Sequence, residues 1–358
     1  MAKFGRSILL LVLCMLLACS VSSNARDTLQ WQLISSGLPD AMGIDTKLAD
    51  LAFVNNQTGF ITTQGGGVLR TDDGGMNWRL LFDWSGFSRY AFFDPRTWFA
   101  YDQARGNAYG RTTDASANWQ ISEHAADPCL GVHFSFLTTL VGWVVTPSSV
   151  CTTQDGGMTW SVIAKSPKLN PHTIFMLDNS HGWIAGKGFI FVTADNGAHW
   201  ASQLQDPNID ASDVRFLDKN IGYALANVRA PVTGSAATSD SGTVFAYSST
   251  LLYTQDGGSH WVQSTWKISG SDGFTTNYVV RGNSDVWIIG GFEQSGAITG
   301  GSTLFHSRDG RVSFDSAFPV PSYLSSPNVI ALVSQNGAST LLVLDTSGAL
   351  ARTVLPTT

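Results

Sequence analysis

The chain has 358 residues, with 21 lysines and arginines against 27 aspartates and glutamates, which gives a formal net charge of −6. Only 13% of the residues are charged, whereas 36 are glycine, 12 tryptophan and 20 phenylalanine. The acidic balance argues against a nucleic-acid partner, and the composition is typical of short strands joined by tight turns.

The first 25 residues predict an export signal, because Lys3 and Arg6 precede an apolar run over residues 8–17 that is too short to span a membrane. Two processing routes are open. The residues from Leu16 to Cys19 resemble a bacterial lipobox, which would place a lipid on Cys19, whereas the segment ending at Ala25 suits ordinary signal peptidase. We therefore expect a signal peptide over residues 1–25. The mature protein would be exported from a bacterial cytoplasm, lie in the periplasm or at the cell surface, and be anchored to a membrane if Cys19 is acylated.

An octapeptide of the form Ser/Thr-x-Asp-x-Gly-x-x-Trp recurs along the rest of the chain. Complete copies begin at Thr71, Thr153, Thr193 and Thr254, and eroded copies begin at Thr112 and Ser307. The separations between successive aspartates are 41, 41, 40, 61 and 53 residues, and a period of about forty residues indicates a repeat architecture. The six aspartates are Asp73, Asp114, Asp155, Asp195, Asp256 and Asp309.

Each residue of the octapeptide suits a tight turn between two strands. A short carboxylate can accept hydrogen bonds from the amides of its own turn, glycine can adopt positive φ, and tryptophan offers a large apolar face. Six equivalent aspartates cannot all serve one catalytic site, so we interpret them as structural. His199 and His260 occupy the same variable position in different copies and are expected to be turn substituents rather than metal ligands. We expect no metal site and no cofactor.

The octapeptide resembles the Asp-box, or BNR repeat, of sialidase-like β-propellers. In that superfamily the box joins the third and fourth strands of a blade, on the face opposite the usual binding site. Upstream of each box an apolar residue precedes an aromatic residue by seven positions, a spacing that brackets the hairpin between the first and second strands. The pairs are Phe53 and Phe60, Phe92 and Phe99, Phe136 and Trp143, Met176 and Trp183, Phe216 and Tyr223, and Val280 and Trp287.

These repeats predict an all-β fold, a seven-bladed β-propeller of four-stranded antiparallel blades in a single domain over residues 26–358. Six blades carry boxes, and a boxless seventh begins near Asn328 and ends near Leu350. The last blade lacks a fourth strand, which the N-terminal strand at residues 29–34 is expected to supply. Such closure would remove exposed sheet edges.

Aligned first strands share a polar position at the strand entrance, on the face opposite the boxes. We expect these side chains to surround the mouth of the central channel and to form a binding site, although a solvent-filled mouth also needs polar walls. Two insertions, Val228 to Ser248 and Phe292 to Ser302, fall on the same rim and are either recognition loops or solvated excursions. The ring positions are Asp50, Arg89, His133, Thr173, Asp213 and Asn277, with Arg215 and Arg281 two and four residues further along their strands.

Cys129 and Cys151 are 22 residues apart and form a candidate disulfide in an exported chain. The bond requires the segment at Cys129 to fold across a sheet edge, because a strand intervenes between the two cysteines.

The layout of export signal, lipobox and boxed repeats resembles the photosystem II stability and assembly factor family, which implies a non-enzymatic protein that binds membrane-protein partners through an arginine-rich surface. In this chain only Arg89 stands in the ring itself. The alternative is a glycoside hydrolase of the sialidase-like or xyloglucanase-like propellers. No sialidase Phe-Arg-Ile-Pro-type segment is present, and Asp50 and Asp213 are expected to be too far apart for hydrolysis. We therefore expect a monomeric binding or assembly-factor propeller whose partner is a protein or an extracellular glycan.

Overall fold

A computed structural model describes residues 29–35, 38, 48–84, 86–102, 108–123, 128–131, 133–167, 170–231, 238–239, 242–243, 245–264, 268–270, 277–281, 285–294, 297–308, 316–324, 327–335, 338–345 and 348–356. The signal segment with Cys19, and the box aspartate Asp309, lie outside these ranges. No helix in the described part of the chain is long and apolar enough to cross a membrane.

The first half of the chain forms three four-stranded antiparallel sheets whose strands follow one another in chain order. Each is a simple meander, as the repeat pattern predicts. The strands are β2 to β5 (Leu48–Phe53, Gly59–Thr63, Gly66–Thr71, Arg79–Trp84), β6 to β9 (Phe87–Phe92, Trp98–Asp102, Ala108–Thr112, Gln120–Glu123) and β10 to β13 (His133–Phe136, Gly142–Val145, Ser149–Thr153, Ser161–Lys165).

A seven-stranded sheet comes next, and a four-stranded sheet follows it. The larger sheet contains β14 to β17 (Pro171–Met176, Gly182–Thr193, Ala201–Phe216, Gly222–Pro231) and β20 to β22 (Phe245–Thr254, Val262–Gln263, Ile268–Gly270). The short strands β18 (Thr238–Ser239) and β19 (Gly242–Thr243) pair only with each other. The smaller sheet contains β23 to β26 (Asn277–Arg281, Asp285–Gln294, Ala297–Ser307, Ser316–Pro319).

The last sheet joins the two ends of the chain. It contains β27 (Pro327–Gln335), β28 (Ala338–Asp345), β29 (Leu350–Val354) and the N-terminal strand β1 (Trp31–Ser35). Strand β1 runs antiparallel to β29, with Trp31 opposite Thr353, and Arg352 Nε donates to Gln32 Oε1 at 2.9 Å. The N-terminal strand therefore completes the C-terminal sheet, as expected.

The predicted number of blades is wrong, because the described part of the chain forms six blades and not seven. The strands expected to form the fourth and fifth blades belong to one hydrogen-bonded sheet. Strand β16 continues through the segment expected to separate the two repeats, and this segment itself pairs with neighbours: Asp210 lies opposite Lys187, and Ile209 lies opposite Val228. A connection that carries ladder hydrogen bonds on both sides cannot separate two sheets, so the fold is a propeller of six blades of which one is enlarged.

The seven-residue spacing found in the sequence marks the apolar layers between sheets. Every second member of these pairs, from Phe60 to Trp287, is at most 2% exposed. In four repeats the first member lies over a glycine that directly precedes the second member. At Gly59 an added Cβ would approach the Phe53 ring to 2.6 Å, and Gly222 is covered by Phe216 in the same way. Glycine is therefore required here by close approach of the ring.

The repeated octapeptide forms the turn between the third and fourth strands. In the turn after β12, Asp155 Oδ1 accepts hydrogen bonds from Met158 N at 3.0 Å and Thr159 N at 2.9 Å, and Thr153 Oγ1 donates to it at 2.8 Å. The indole of Trp160 donates to Gly157 O at 3.1 Å. Equivalent contacts between the aspartate and the amide of the seventh residue occur at Asp73, Asp114, Asp195 and Asp256.

The predicted disulfide between Cys129 and Cys151 is confirmed, with the two Cα atoms 5.6 Å apart. Both cysteines are buried, and the segment before β10 is held over the sheet by Tyr109. The Tyr109 hydroxyl donates to Cys129 O at 2.8 Å and accepts from Gly131 N at 2.9 Å. The tyrosine thus supplies the fold-back that the sequence alone did not reveal.

Candidate functional site

All six ring positions predicted from the sequence lie on the innermost strands, at equivalent registers. The residues opposite them on the second strands are Thr62, Tyr101, Val145, Ala185, Leu225 and Ile289, for Asp50, Arg89, His133, Thr173, Asp213 and Asn277 respectively. The box turns lie at the other end of the same sheets, since Thr71, the first box residue, is paired with Gly59 at the far end of β3. The ring and the boxes therefore occupy opposite faces.

A β-bulge, in which one extra residue is left out of the pairing, directly precedes four of these positions. The ladder skips Ala49, Ser88, His172 and Ser212, which directly precede Asp50, Arg89, Thr173 and Asp213. Bulges increase local twist and often lie beside functional sites. A fifth bulge occurs between Pro327 and Val329 in β27, so that Val329 is the equivalent of a ring residue in the last sheet.

These strands surround an open central cavity of about 830 Å³. It is lined by all six ring residues and by Arg215, together with the four bulge residues and Val329. The sequence alignment missed the bulge residues, although each stands one position before a ring residue. It missed Val329 because the last repeat has no box and no seven-residue spacing from which to align it.

Arg281 does not line this cavity. It stands four residues beyond Asn277 on β23, at the other end of the strand, where its guanidinium pairs with buried Asp285 and donates from Nη1 to Pro356 O at 2.9 Å. Asp285 also contacts His306 Nε2 through its other oxygen. This buried cluster attaches the C-terminal segment to the neighbouring sheet and is separate from the candidate site.

Asp213 and Arg215 neutralise each other within the cavity. Their side chains project from the same face of β16, and Arg215 Nε donates to Asp213 Oδ2 at 2.9 Å. The Asp213 carboxylate raises the pKa of the Arg215 guanidinium above its ordinary value. The guanidinium also lies 5.8 Å from the centre of the Tyr278 ring, a cation–π contact that fixes its position.

Asp50 lines the cavity as an exposed side chain, and no cation contacts it among the described residues. Its Oδ1 accepts a hydrogen bond from Leu51 N at 2.8 Å, and no ion pair to it occurs among the described residues. Desolvation by the surrounding cavity wall raises the pKa of this carboxyl, while Arg215 and Arg89 act from a distance in the opposite direction. Of the two cavity carboxyls, Asp213 is ion-paired and Asp50 is not, within the described ranges.

His133 is a neutral group at ordinary pH. Burial lowers the pKa of its imidazole to about 4, and the charges of Arg89 and His172 act in the same direction. Next to it the Arg89 guanidinium is exposed to the cavity and makes no hydrogen bond or ion pair within the described ranges. The adjacent Tyr90 hydroxyl donates to Gly66 O at 2.6 Å, which ties β6 to the neighbouring sheet.

The two insertions predicted on the rim are extensions of paired strands. Strands β17 and β20 remain paired as far as Pro231 and Phe245, and β24 and β25 as far as Gln294 and Ala297. Beyond Leu225, the partner of Asp213, β17 continues for six residues, or about 20 Å. Both hairpins extend from the cavity face, beside Asp213 and Asn277. No group of three or more potential metal-ligating residues occurs in the part of the chain that the structure describes.

Antiparallel blades around a lined central cavity define an all-β propeller. No protein-family model matches the sequence, and no curated protein matches it. Solved structures with a similar fold include YCF48 bound to D1 peptide, at 14% identity and a TM-score of 0.60, covering 93% of this chain and 100% of the other. YCF48 from Cyanidioschyzon merolae is similar at 16% identity and a TM-score of 0.56, covering 90% and 98% of the two chains.

A glycoside hydrolase shares the architecture as well. The GH74 xyloglucanase from Xanthomonas campestris is similar at 12% identity and a TM-score of 0.62, over 90% of this chain and 53% of the enzyme. This chain thus spans about half the length of that enzyme. At such identities the comparisons show the fold alone.

Proposed function

We propose that the protein is an exported, non-enzymatic propeller that acts as a monomer and binds a protein partner through its cavity face. The observation that carries this proposal is the convergence of Asp50, Arg89, His133, Thr173, Asp213, Asn277 and Arg215 on one cavity, at the end of the sheets opposite the box turns. A concave site with a few convergent polar groups is the usual form of a ligand-binding site.

A protein partner is favoured over a small ligand by two features. YCF48, whose fold is similar, has been solved with a D1 peptide, which supports a peptide segment as the ligand class. The two rim hairpins also extend the surface beyond the cavity on one side, which enlarges the area available to a macromolecule. The ring of this chain holds two acids beside its arginines, so the partner's chemistry differs from that expected for an arginine-rich surface.

Export and lipidation are part of the proposal. The bond between Cys129 and Cys151 supports an oxidising compartment such as the periplasm. We further propose that Cys19 is acylated and that residues 20–28 act as a tether to the membrane. Labelled fatty acid should enter the wild-type protein and not a Cys19→Ala variant. Release of the wild-type protein into the soluble periplasm without label would contradict the anchor.

Site-specific photocrosslinking in the native host tests the binding face. A photoreactive amino acid at Ser88, which lines the cavity, should produce crosslinks to one partner protein, and Arg89→Ala in the same chain should weaken them. The matched control is the same amino acid at Met76, which is 40% exposed in a box turn on the opposite face. Equal crosslinking from both positions, or none from Ser88, would refute the placement of the site.

A glycoside hydrolase is the second candidate, and one observation favours it. Asp50 and Asp213 line the same cavity, and the charge of Asp213 helps to raise the pKa of Asp50. That these two carboxyls are too far apart for hydrolysis stays a prediction. A carboxyl with a raised pKa that shares a cavity with an ion-paired carboxylate matches the chemistry of a general acid and its companion. Turnover of xyloglucan or a sialoside that disappears in Asp50→Asn would establish the enzyme and overturn the non-enzymatic proposal.

A further inference from the structure

The cavity contains two charged groups that the protein itself leaves unpaired. Of the four charged carboxylates and guanidiniums on its wall, Asp213 and Arg215 form an ion pair at 2.9 Å. Asp50 accepts one backbone hydrogen bond, from Leu51 N, and no cation contacts it among the described residues. The Arg89 guanidinium has neither a hydrogen bond nor an ion pair in the same ranges. One negative and one positive charge are therefore available to a ligand.

These two charges are held on neighbouring sheets at equivalent positions. Asp50 follows the bulge in β2 and Arg89 follows the bulge in β6. The hydrogen bond from Tyr90 to Gly66 O fixes β6 against the preceding sheet. The Arg89 charge influences the titration of both Asp50 and His133, which places the guanidinium within electrostatic range of each but in contact with neither. His133 is neutral at ordinary pH and so cannot compensate Asp50.

We propose that the cavity recognises a protein segment in which a basic and an acidic side chain lie close together, the basic group binding Asp50 and the acidic group binding Arg89. The inference rests on the proposed function, because it assumes that a protein segment enters the cavity. A ligand with one charge would pair with one cavity group and displace water from the other without giving it a partner, which is costly. Only a ligand carrying both signs satisfies both groups, so the pair selects against singly charged segments.

Selection from a displayed library of random heptapeptides tests this proposal. The baits are the propeller domain, residues 26–358, as wild type and as D50N and R89Q. Matched controls make the same chemical changes on the opposite face at D72N and R79Q, where the two residues contact each other at 3.5 Å. The wild type and both controls should enrich peptides with a basic and an acidic residue near each other. D50N should lose only the basic preference, and R89Q only the acidic one.

The strongest enriched peptide then gives the magnitude by calorimetric titration. Replacing its basic residue by glutamine should weaken binding to the wild type about tenfold and binding to D50N less than about twofold. Enrichment of peptides with no charge preference, or a preference that persists in D50N and R89Q, would overturn the charge-pair inference and leave the protein-binding function intact. No enrichment by the wild type over a bead control would overturn both.

Discussion

The disulfide between Cys129 and Cys151 allows a quantitative test of the described fold. It closes a loop of 22 residues between two buried positions. The chain-entropy relation for a loop of this length gives about 11 cal/mol/K, or about 3 kcal/mol at room temperature, for constraining the unfolded chain. With an unfolding entropy proportional to chain length, this corresponds to about 5 °C in the melting temperature of the mature protein.

The double variant Cys129→Ala/Cys151→Ala, made in a chain beginning at residue 26, should therefore lose about 3 kcal/mol of unfolding free energy. Guanidinium unfolding followed by tryptophan fluorescence measures it. Reductant should lower the stability of the wild type to a value near that of the double variant. The double variant itself should not respond to reductant, because Cys14 and Cys19, the other two of the four cysteines, are absent from this chain.

Two results would refute this reasoning. Thiol labelling of the unfolded, unreduced wild type should find no free thiol, and two free thiols would show that the bond does not form. A wild type that keeps its stability in reductant would show that Tyr109 and the surrounding core hold the segment without the bond, since its hydroxyl already contacts Cys129 O and Gly131 N.

Three further predictions concern the turns, the cavity and the core. Hydrogen bonds from the His199 amide and ring lower the pKa of Asp195 to about 2. The contribution of Asp195 to the free energy of unfolding is therefore complete above the unfolded pKa near 4 and should be lost as the pH falls from about 4 to about 2. Asp195→Asn should remove that part of the pH dependence in unfolding experiments. The pKa of His133 is about 4 in the folded protein, so the unfolded chain takes up the proton first as the pH falls. The free energy of unfolding should therefore decrease as the pH is lowered from about 6.5 to about 4. An imidazole NMR titration should show the midpoint, and His133→Gln should flatten this region of the stability curve. Gly222→Ala should destabilise the protein by about 1–3 kcal/mol, because its methyl group would contact the Phe216 ring. Combining it with Phe216→Leu should give less than the sum of the two single losses, and strict additivity would contradict the contact.

Much of the fold could be predicted because the same two sequence motifs recur along the chain and each acts through residues that are close in sequence. The octapeptide fixes a turn through contacts between neighbours in sequence, as at Asp155, and these need no tertiary information. The seven-residue spacing is informative because, in four repeats, the apolar residue packs against the glycine that precedes the aromatic residue within one hairpin. The number of blades depends instead on whether a linker pairs with other strands. The linker at residues 206–209 contains Pro207, which lacks an amide donor and would favour a break, yet Ile209 and Asp210 beside it join two ladders.

The site residues could be predicted where the alignment of the first strands gave the correct position. Equivalent positions on inner strands converge on the axis of a propeller, so aligning the repeats was enough to bring Asp50, Arg89 and Asp213 to one cavity. A residue further along the strand from the ring position reaches the cavity only if the distance is short. Arg215, two residues beyond its ring position, still faces the cavity, whereas Arg281, four residues beyond, lies about 13 Å further along and binds Asp285. The bulges could not be predicted, because they depend on how each first strand pairs with the second.

The backbone sets the ring positions independently of the side chains that occupy them, and this limits what structural similarity can say about the ligand. Main-chain pairing and the bulges set the ring positions, and the occupants range from aspartate and arginine to threonine and valine without changing the register. Fold similarity to proteins with different ligands is therefore expected and does not identify a ligand for this chain. The identity of the ligand is instead indicated by the charged side chains that have no charged partner within the described part of the protein. Since Arg215 is committed to Asp213, Asp50 and Arg89 are the two residues whose exchange should redirect binding: Asp50→Arg together with Arg89→Asp should prefer peptides in which the basic and acidic residues have changed places.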